Sequence, residues 1–274
     1  MEWSKLKNII IIMLVLVNVF FLFLFLTRQG NSIRHEAQSK EQTVALLQKN
    51  GISFLPEAVP DDITLPVLEL SQTQDGEDAM AAALLGTVEK EDKTGGVSIS
   101  YRGEKGTADF FNTGKFLFTF SEDAWPLNQQ SRRQQAEDCL NKLNLRAAFD
   151  VSDTEADTTQ LVYYQLWGNS PVYTCKIVFT YTGDFLTGIE GIYLNATAEK
   201  ADETQPFSTT TALVCFLSGL NDGTISVCTE VRQMSTGYLL QTGRPSSLQP
   251  VWRIVTDTGE YYLNTQTRVF TQAE

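Results

Sequence analysis

Val172–Thr182, VYTCKIVFTYT, decides the fold: an extended strand here puts Tyr173, Cys175, Ile177, Phe179 and Tyr181 on one side. Val172, Thr174, Lys176, Val178 and Thr180 fall on the other. One row is apolar or aromatic and the other mixed, the pattern of a sheet with one packed face and one that meets solvent or a partner. Gly168-Asn169-Ser170-Pro171 precedes the stretch and Gly183-Asp184 follows it, both turn-forming. Gln160–Trp167, Val172–Thr182 and Phe185–Leu194 therefore read as an antiparallel meander.

Upstream of that meander, Asn128 to Leu143 reads as a helix with Ala136, Cys139, Leu140 and Leu143 on its apolar stripe. The same order occurs earlier. A helix over Glu77–Leu85 leads into Gly96–Arg102, Thr107–Asn112 and Lys115–Ser121, with turns at Arg102-Gly103 and Thr113-Gly114. A third round begins with a helix capped by Ser208 or Thr209 and ending at Gly219. It continues through Thr224–Gln233, Gly237–Thr242, Pro250–Thr256 and Glu260–Asn264. Leu65–Ser71 adds a strand, and Ile33–Asn50 a helix that Asn50-Gly51 stops. A helix followed by adjacent strands, repeated, predicts an α+β fold with antiparallel sheets. The weakest point between halves is Ser152-Asp153-Thr154-Glu155-Ala156-Asp157, small or acidic throughout. It divides two tandem helix-plus-meander units, 56–151 and 152–274.

Ile9 to Leu26, IIIIMLVLVNVFFLFLFL, is apolar apart from Asn18. As a helix it rises about 27 Å at ~1.5 Å per residue, enough for a bilayer core. The run exceeds a signal-peptide core and no small-x-small cleavage site follows, so an uncleaved transmembrane helix is expected. It separates a short tail, 1–8, from a juxtamembrane helix or stalk, 27–55. Positive charges are nearly balanced across it, Lys5, Lys7 and the amino terminus against Arg28, Arg34 and Lys40, and leave orientation open. Asn18 shares a helical face with Leu14, Phe21, Leu22 and Phe25. Either its amide bonds its own backbone, or this face packs on a partner's span.

The 274 residues carry a net charge of −12 and 42% hydrophobic residues. That supports a real core and argues against nucleic acid or anionic lipid as partners. The cysteines at 139, 175, 215 and 228 lack the close pairs of zinc sites. Disulfides stay open, but Cys175 on a strand face and Cys139 and Cys215 on helical stripes fit core thiols better. The single histidine, His35, lies just beyond the span, and neither a GxSxG elbow nor a P-loop is present. No catalytic, metal or cofactor constellation is legible, and the chain is expected not to be an enzyme. Trp167, Trp252, Tyr261 and Tyr262 fit core or cross-strand pairs better than a groove.

MEWSKLKNIII, a span containing Asn18, a helix closing in Asn50-Gly51-Ile52, the WGNSPVY…TGDFLTGIEGIYL meander and the closing PVWRIVTDTGEYYLN together resemble the YycI family. The resemblance covers most of the chain, and its motifs are turns and packing positions. It implies a single-pass protein with a cytoplasmic N-terminus and an extracytoplasmic domain, acting with YycH on the WalK (YycG) sensor histidine kinase of low-GC Gram-positive bacteria. YycH is ordinarily longer, so this length favours YycI. Partners implied are the kinase and a YycH-like protein, with homo- or heterodimers open. Trp167, Asn169 and Tyr173 are the candidate ectodomain surface. Rival readings are a PepSY-like module binding a peptide or cell-envelope fragment, and an envelope hydrolase.

Overall fold

In the computed structural model, the described residues are 13–14, 17–18, 40–55, 59–61, 65–73, 76–92, 98–202 and 208–273. Two compact units share the chain. The smaller takes Met1–Asp62, Ser208–Met234 and Val255–Glu260, and the larger takes Ile63–Phe207, Ser235–Ile254 and Tyr261–Glu274.

The larger unit repeats one design twice. Helix α2 (Glu77–Leu85) precedes β2 (Val88–Asp92), β3 (Ser98–Gly103), β4 (Gly106–Phe111) and β5 (Lys115–Phe120). Helix α3 (Arg132–Lys142) precedes β6 (Ala147–Glu155), β7 (Thr158–Trp167), β8 (Ser170–Thr182) and β9 (Phe185–Ile192). All neighbours within these strands are antiparallel, and β5 pairs with β9 to join the meanders in the order β2-β3-β4-β5-β9-β8-β7-β6. Both helices contribute to a core on one face of this sheet. Met80, Leu84 and Leu85 come from α2, Ala136, Cys139 and Leu140 from α3, against Phe110, Phe116, Phe118, Ile177 and Phe179. Each fully buried phenylalanine removes enough apolar area to favour folding by about 2–3 kcal/mol.

The chain's local chemistry sets these boundaries. Ser131 and Gln134 form a reciprocal capping box at the start of α3, with Gln134 N donating to Ser131 Oγ at 3.2 Å and Ser131 N to Gln134 Oε1 at 3.1 Å. Asn128 and Gln129, expected inside that helix, have positive φ and belong to the loop before it. Asn144, at φ 55, closes α3, with Leu145 N returning to Leu140 O at 2.9 Å. Gly106, at φ 142, starts β4 where β5 presses close: a Cβ there would lie 2.1 Å from Thr119 O.

A second set of strands completes the larger unit. β1 (Val67–Gln72) lies antiparallel between β10 (Ala196–Asp202) and β12 (Ser246–Thr256). β11 (Val231–Gln241) meets β8 in parallel at Tyr238 and Val172, and β13 (Glu260–Asn264) and β14 (Phe270–Gln272) follow. The interruption expected between residues 233 and 237 is not there: β11 is one strand. Gly237 sits inside it because the Tyr173 ring packs on that point, 2.6 Å from where a Cβ would be.

The smaller unit contains α1, helical over residues 40–49, and α4 (Thr209–Asp222). Gly51, at φ 81, stops α1, and Ile52 folds back with its N–H on Leu47 O at 3.1 Å. Val44, Leu47, Ile52 and Phe54 are buried, so 40–55 is a packed element of this unit. Ser208 caps α4, accepting from Thr211 N, and the helix runs through Gly219 to a left-handed stop at Gly223.

The expected boundary at Ser152–Asp157 is the tip of the β6–β7 hairpin, paired in register from Ser152↔Leu161 to Glu155↔Thr158. Small and acidic residues there make a turn, with Ala156 at φ 53, not a linker. The division into 56–151 and 152–274 is thus replaced by two discontinuous units.

Candidate interaction site

Most of the expected span lies outside the described residues, as do Phe21, Leu22 and Phe25 of its proposed partner face. Leu14 and Asn18 are described, both helical and exposed, and Asn18 Nδ2 donates to Leu14 O at 2.8 Å. The amide is thus satisfied one turn back. Among the described residues no helix is long and apolar enough to cross a membrane.

The structure separates the proposed ectodomain surface residues. Asn169 is exposed at the β7–β8 turn, within 3.4 Å of an Arg146 Nη2 donor. Trp167 is half-buried against Val172, Cys175 and Leu248. Tyr173 is a correction: only 5% exposed, it is a core residue. Its place on the apolar row agrees with burial, and a break in β8 sets which core it joins. Pairing with β7 shifts between Tyr164↔Lys176 and Leu166↔Pro171, leaving Val172–Cys175 free of β7. Val172 and Cys175 then enter one cluster, which strict alternation forbids, and Tyr173 turns toward Tyr164 and Tyr262.

Around Tyr173 lies a buried charge pair that sequence reasoning missed. Arg253 on β12 donates from Nη1 and Nη2 to the two carboxylate oxygens of Asp150 at 2.6 and 2.8 Å. The side chains are 6% and 12% exposed. The guanidinium lies 5.2 Å from the ring centroids of both Tyr164 and Tyr173. Asp150 sits at the irregularity of β6, between Phe149 and Val151. Neither residue has a local signal, because they are 103 positions apart. Trp252, Tyr261 and Tyr262 are buried, as core aromatic residues.

The sheet face opposite the helices carries a row in register: Ser100, Asp109, Leu117, Glu190 and Val178. Ser100 Oγ donates to the Asp109 carboxylate. At one edge, Tyr101 Oη donates to Asp78 at 2.5 Å, and Lys90 Nζ lies 3.2 Å from the same oxygen. Tyr101's hydrogen bond holds the Asp78 carboxyl below its usual range, while burial pushes the Tyr101 phenol up to about 12. Burial also pushes the Cys139 and Cys175 thiols up to about 12, so both are neutral at physiological pH. All four cysteines are free thiols. Among the described residues no group of three or more His, Cys, Asp or Glu is placed to hold a metal ion.

A cleft of about 330 Å³ opens between the two helix–meander repeats. Ala79 and Met80 of α2, Leu143 and Leu145 beyond α3, Gln165 of β7 and Leu194 line it, with Lys142, Asn144 and Asn195 also present. Residues 193–195 connect β9 to β10 and are held from several sides. Tyr193 N donates to Gly114 O at 3.0 Å, Thr73 N donates to Asn195 O at 2.9 Å, and Tyr193 Oη donates to Glu77 Oε1 at 3.3 Å. Gln165 holds Leu194 at both ends of its side-chain amide. Its Nε2 donates to Leu194 O at 2.8 Å and its Oε1 accepts from Leu194 N at 2.7 Å. Burial raises the Glu77 carboxyl above its ordinary value.

Duplicated helix-plus-meander repeats joined in one sheet, with a cleft between them, define an α+β protein. The chain belongs to the YycI family, described as YycI protein, which it matches over residues 31–269. No curated protein matches it. Among solved structures it is similar to an uncharacterized protein from Eubacterium rectale ATCC 33656 at 10% identity and TM-score 0.48, over 77% of this chain and 81% of that one. It is also similar to the Bacillus megaterium YpeB C-terminal domain, at 10% identity and TM-score 0.39, over 75% and 99% of the two chains. YycH from Bacillus subtilis is similar at 12% identity and TM-score 0.42, over 71% of this chain and 52% of that one. At such scores these likenesses assign no function.

Proposed function

We propose that this chain is a membrane-anchored, extracytoplasmic, non-enzymatic regulator of a WalK (YycG)-type sensor histidine kinase, acting by protein–protein contact together with a YycH-like partner. The observation that carries the reading is membership of the YycI family over residues 31–269. The apolar run Ile9–Leu26 supports the anchor. A bound protein shifts a kinase between states only through unequal affinity for them. Confinement to the membrane plane raises local concentration, so modest contacts suffice. Deleting the gene is expected to change kinase-controlled transcription, and unaltered transcripts would remove the proposal.

A second reading, a module binding a peptide or cell-envelope fragment, is favoured by the cleft, whose volume of about 330 Å³ reaches the lower end of small-ligand sites.

A further inference from the structure

An extended residue presents its own N–H and C=O on the same side, and in a sheet a neighbouring strand bonds both. At Leu194 a side chain takes that place. The Gln165 carboxamide, whose C=O and one N–H point the same way as those of an extended residue, meets Leu194 N and O at 2.7 and 2.8 Å. Both residues line the cleft, whose other walls include the apolar Ala79, Met80, Leu143 and Leu145. A surrogate for a strand's backbone thus stands beside space lined by apolar groups.

We propose that the cleft is a peptide-binding site in which one residue of an extended ligand replaces the Gln165 carboxamide on Leu194, its own N–H and C=O taking the places of Gln165 Nε2 and Oε1. The inference rests on the ligand-binding reading of the cleft and is independent of the kinase reading. Exchanging the carboxamide for the N–H and C=O of one extended residue conserves both hydrogen bonds, so the exchange itself costs little. Gln165 is tethered and competes at high effective concentration. The ligand's net gain therefore comes from small apolar side chains against Ala79, Met80, Leu143 and Leu145. Because Leu194 belongs to the connection between β9 and β10, an occupied cleft would act on the link between the two strand sets.

The test uses the full chain in detergent micelles, with acetyl-Ala-Leu-Ala-Leu-amide as probe and the Leu194 amide and Gln165 side-chain NH₂ followed by NMR. Saturable shifts at both positions are expected, with a backbone N-methylated version of the probe binding about tenfold weaker. Gln165→Ala removes the tethered competitor and is expected to tighten binding several-fold. Ala79→Trp, at an exposed helical position, fills the cleft and is expected to abolish the shifts while the remaining spectrum keeps its dispersion. Equal binding of the two probes would overturn the backbone exchange but leave the cleft a ligand site. No shift at millimolar probe, in the native chain and in Gln165→Ala alike, would overturn both.

Discussion

Beneath α2 and α3, Phe110 meets Tyr101, Phe118 and Tyr193 edge to face, with centroids 5.6, 5.8 and 6.3 Å apart, and carboxylates meet this cluster at the Tyr101 and Tyr193 hydroxyls. Around Tyr173 the rings instead enclose a guanidinium locked to a carboxylate. Both regions are aromatic, both belong to the larger unit, and they depend on different physics. The first is stabilised by area and dispersion, so its worth falls with volume removed. The second fixes a geometry, tying β12 to the irregular point of β6. Its charges have already lost most of their water, so each is costly without the other.

Five substitutions would break or sharpen that contrast. Phe116→Ala, at a fully buried position of the first region, is expected to lower unfolding free energy by about 3–5 kcal/mol, read as a lower denaturant midpoint. Asp150→Ala is expected to cost about 3 kcal/mol by stranding Arg253. Adding Arg253→Met should restore most of that loss, whereas a second truncation in the phenylalanine cluster should only deepen the first. If the double variant is no better than Asp150→Ala, the pair is not what distinguishes the regions. Ser131→Ala removes the cap of α3 at the rim of the first region, with an expected cost of about 1 kcal/mol in a thermal melt.

Glu77→Gln carries the smallest effect and a definite sign. The native carboxyl is raised by burial, so the folded state holds its proton more tightly than the unfolded chain. Glu77 therefore opposes folding when ionised, and that cost fades as pH falls through its raised folded value toward the ordinary 4.5. Urea midpoints from pH 7 to pH 4 should show this contribution in the native chain and not in Glu77→Gln, whose amide oxygen still accepts from Tyr193.

The central strands were legible because half-buried strands alternate: β3, β4, β5, β7, β8 and β9 all fall close to the runs read from hydrophobic pattern and turn residues. The strands that escaped notice share a position. β2 (VEKED) and β6 (with SDTE at its end) are the two outer strands of the meander sheet, and β10 (ATAEKAD) borders β1. Outer strands carry charge that discourages pairing with other chains, and charge erases the apolar period used to find them. Val151, 50% exposed on β6, shows how little that strand buries. Tyr173 fell on the apolar row, but which core it joins was not legible: a break in strand pairing reverses sidedness, and nothing in VYTCKIVFTYT marks where it falls. The cleft and the Arg253–Asp150 pair were invisible because each joins residues distant in sequence. The family's turns and closing strand were readable throughout, which is why relationship was clearer than site.

The most direct measurement is photo-cross-linking in the native membrane, with the full chain carrying a probe at exposed Asn169 or at Leu14. The account predicts that the sensor kinase and a YycH-like protein are captured, the first probe through their extracytoplasmic parts and the second through their spans. Capture of neither protein at either position, with the chain present at its normal level, would contradict it.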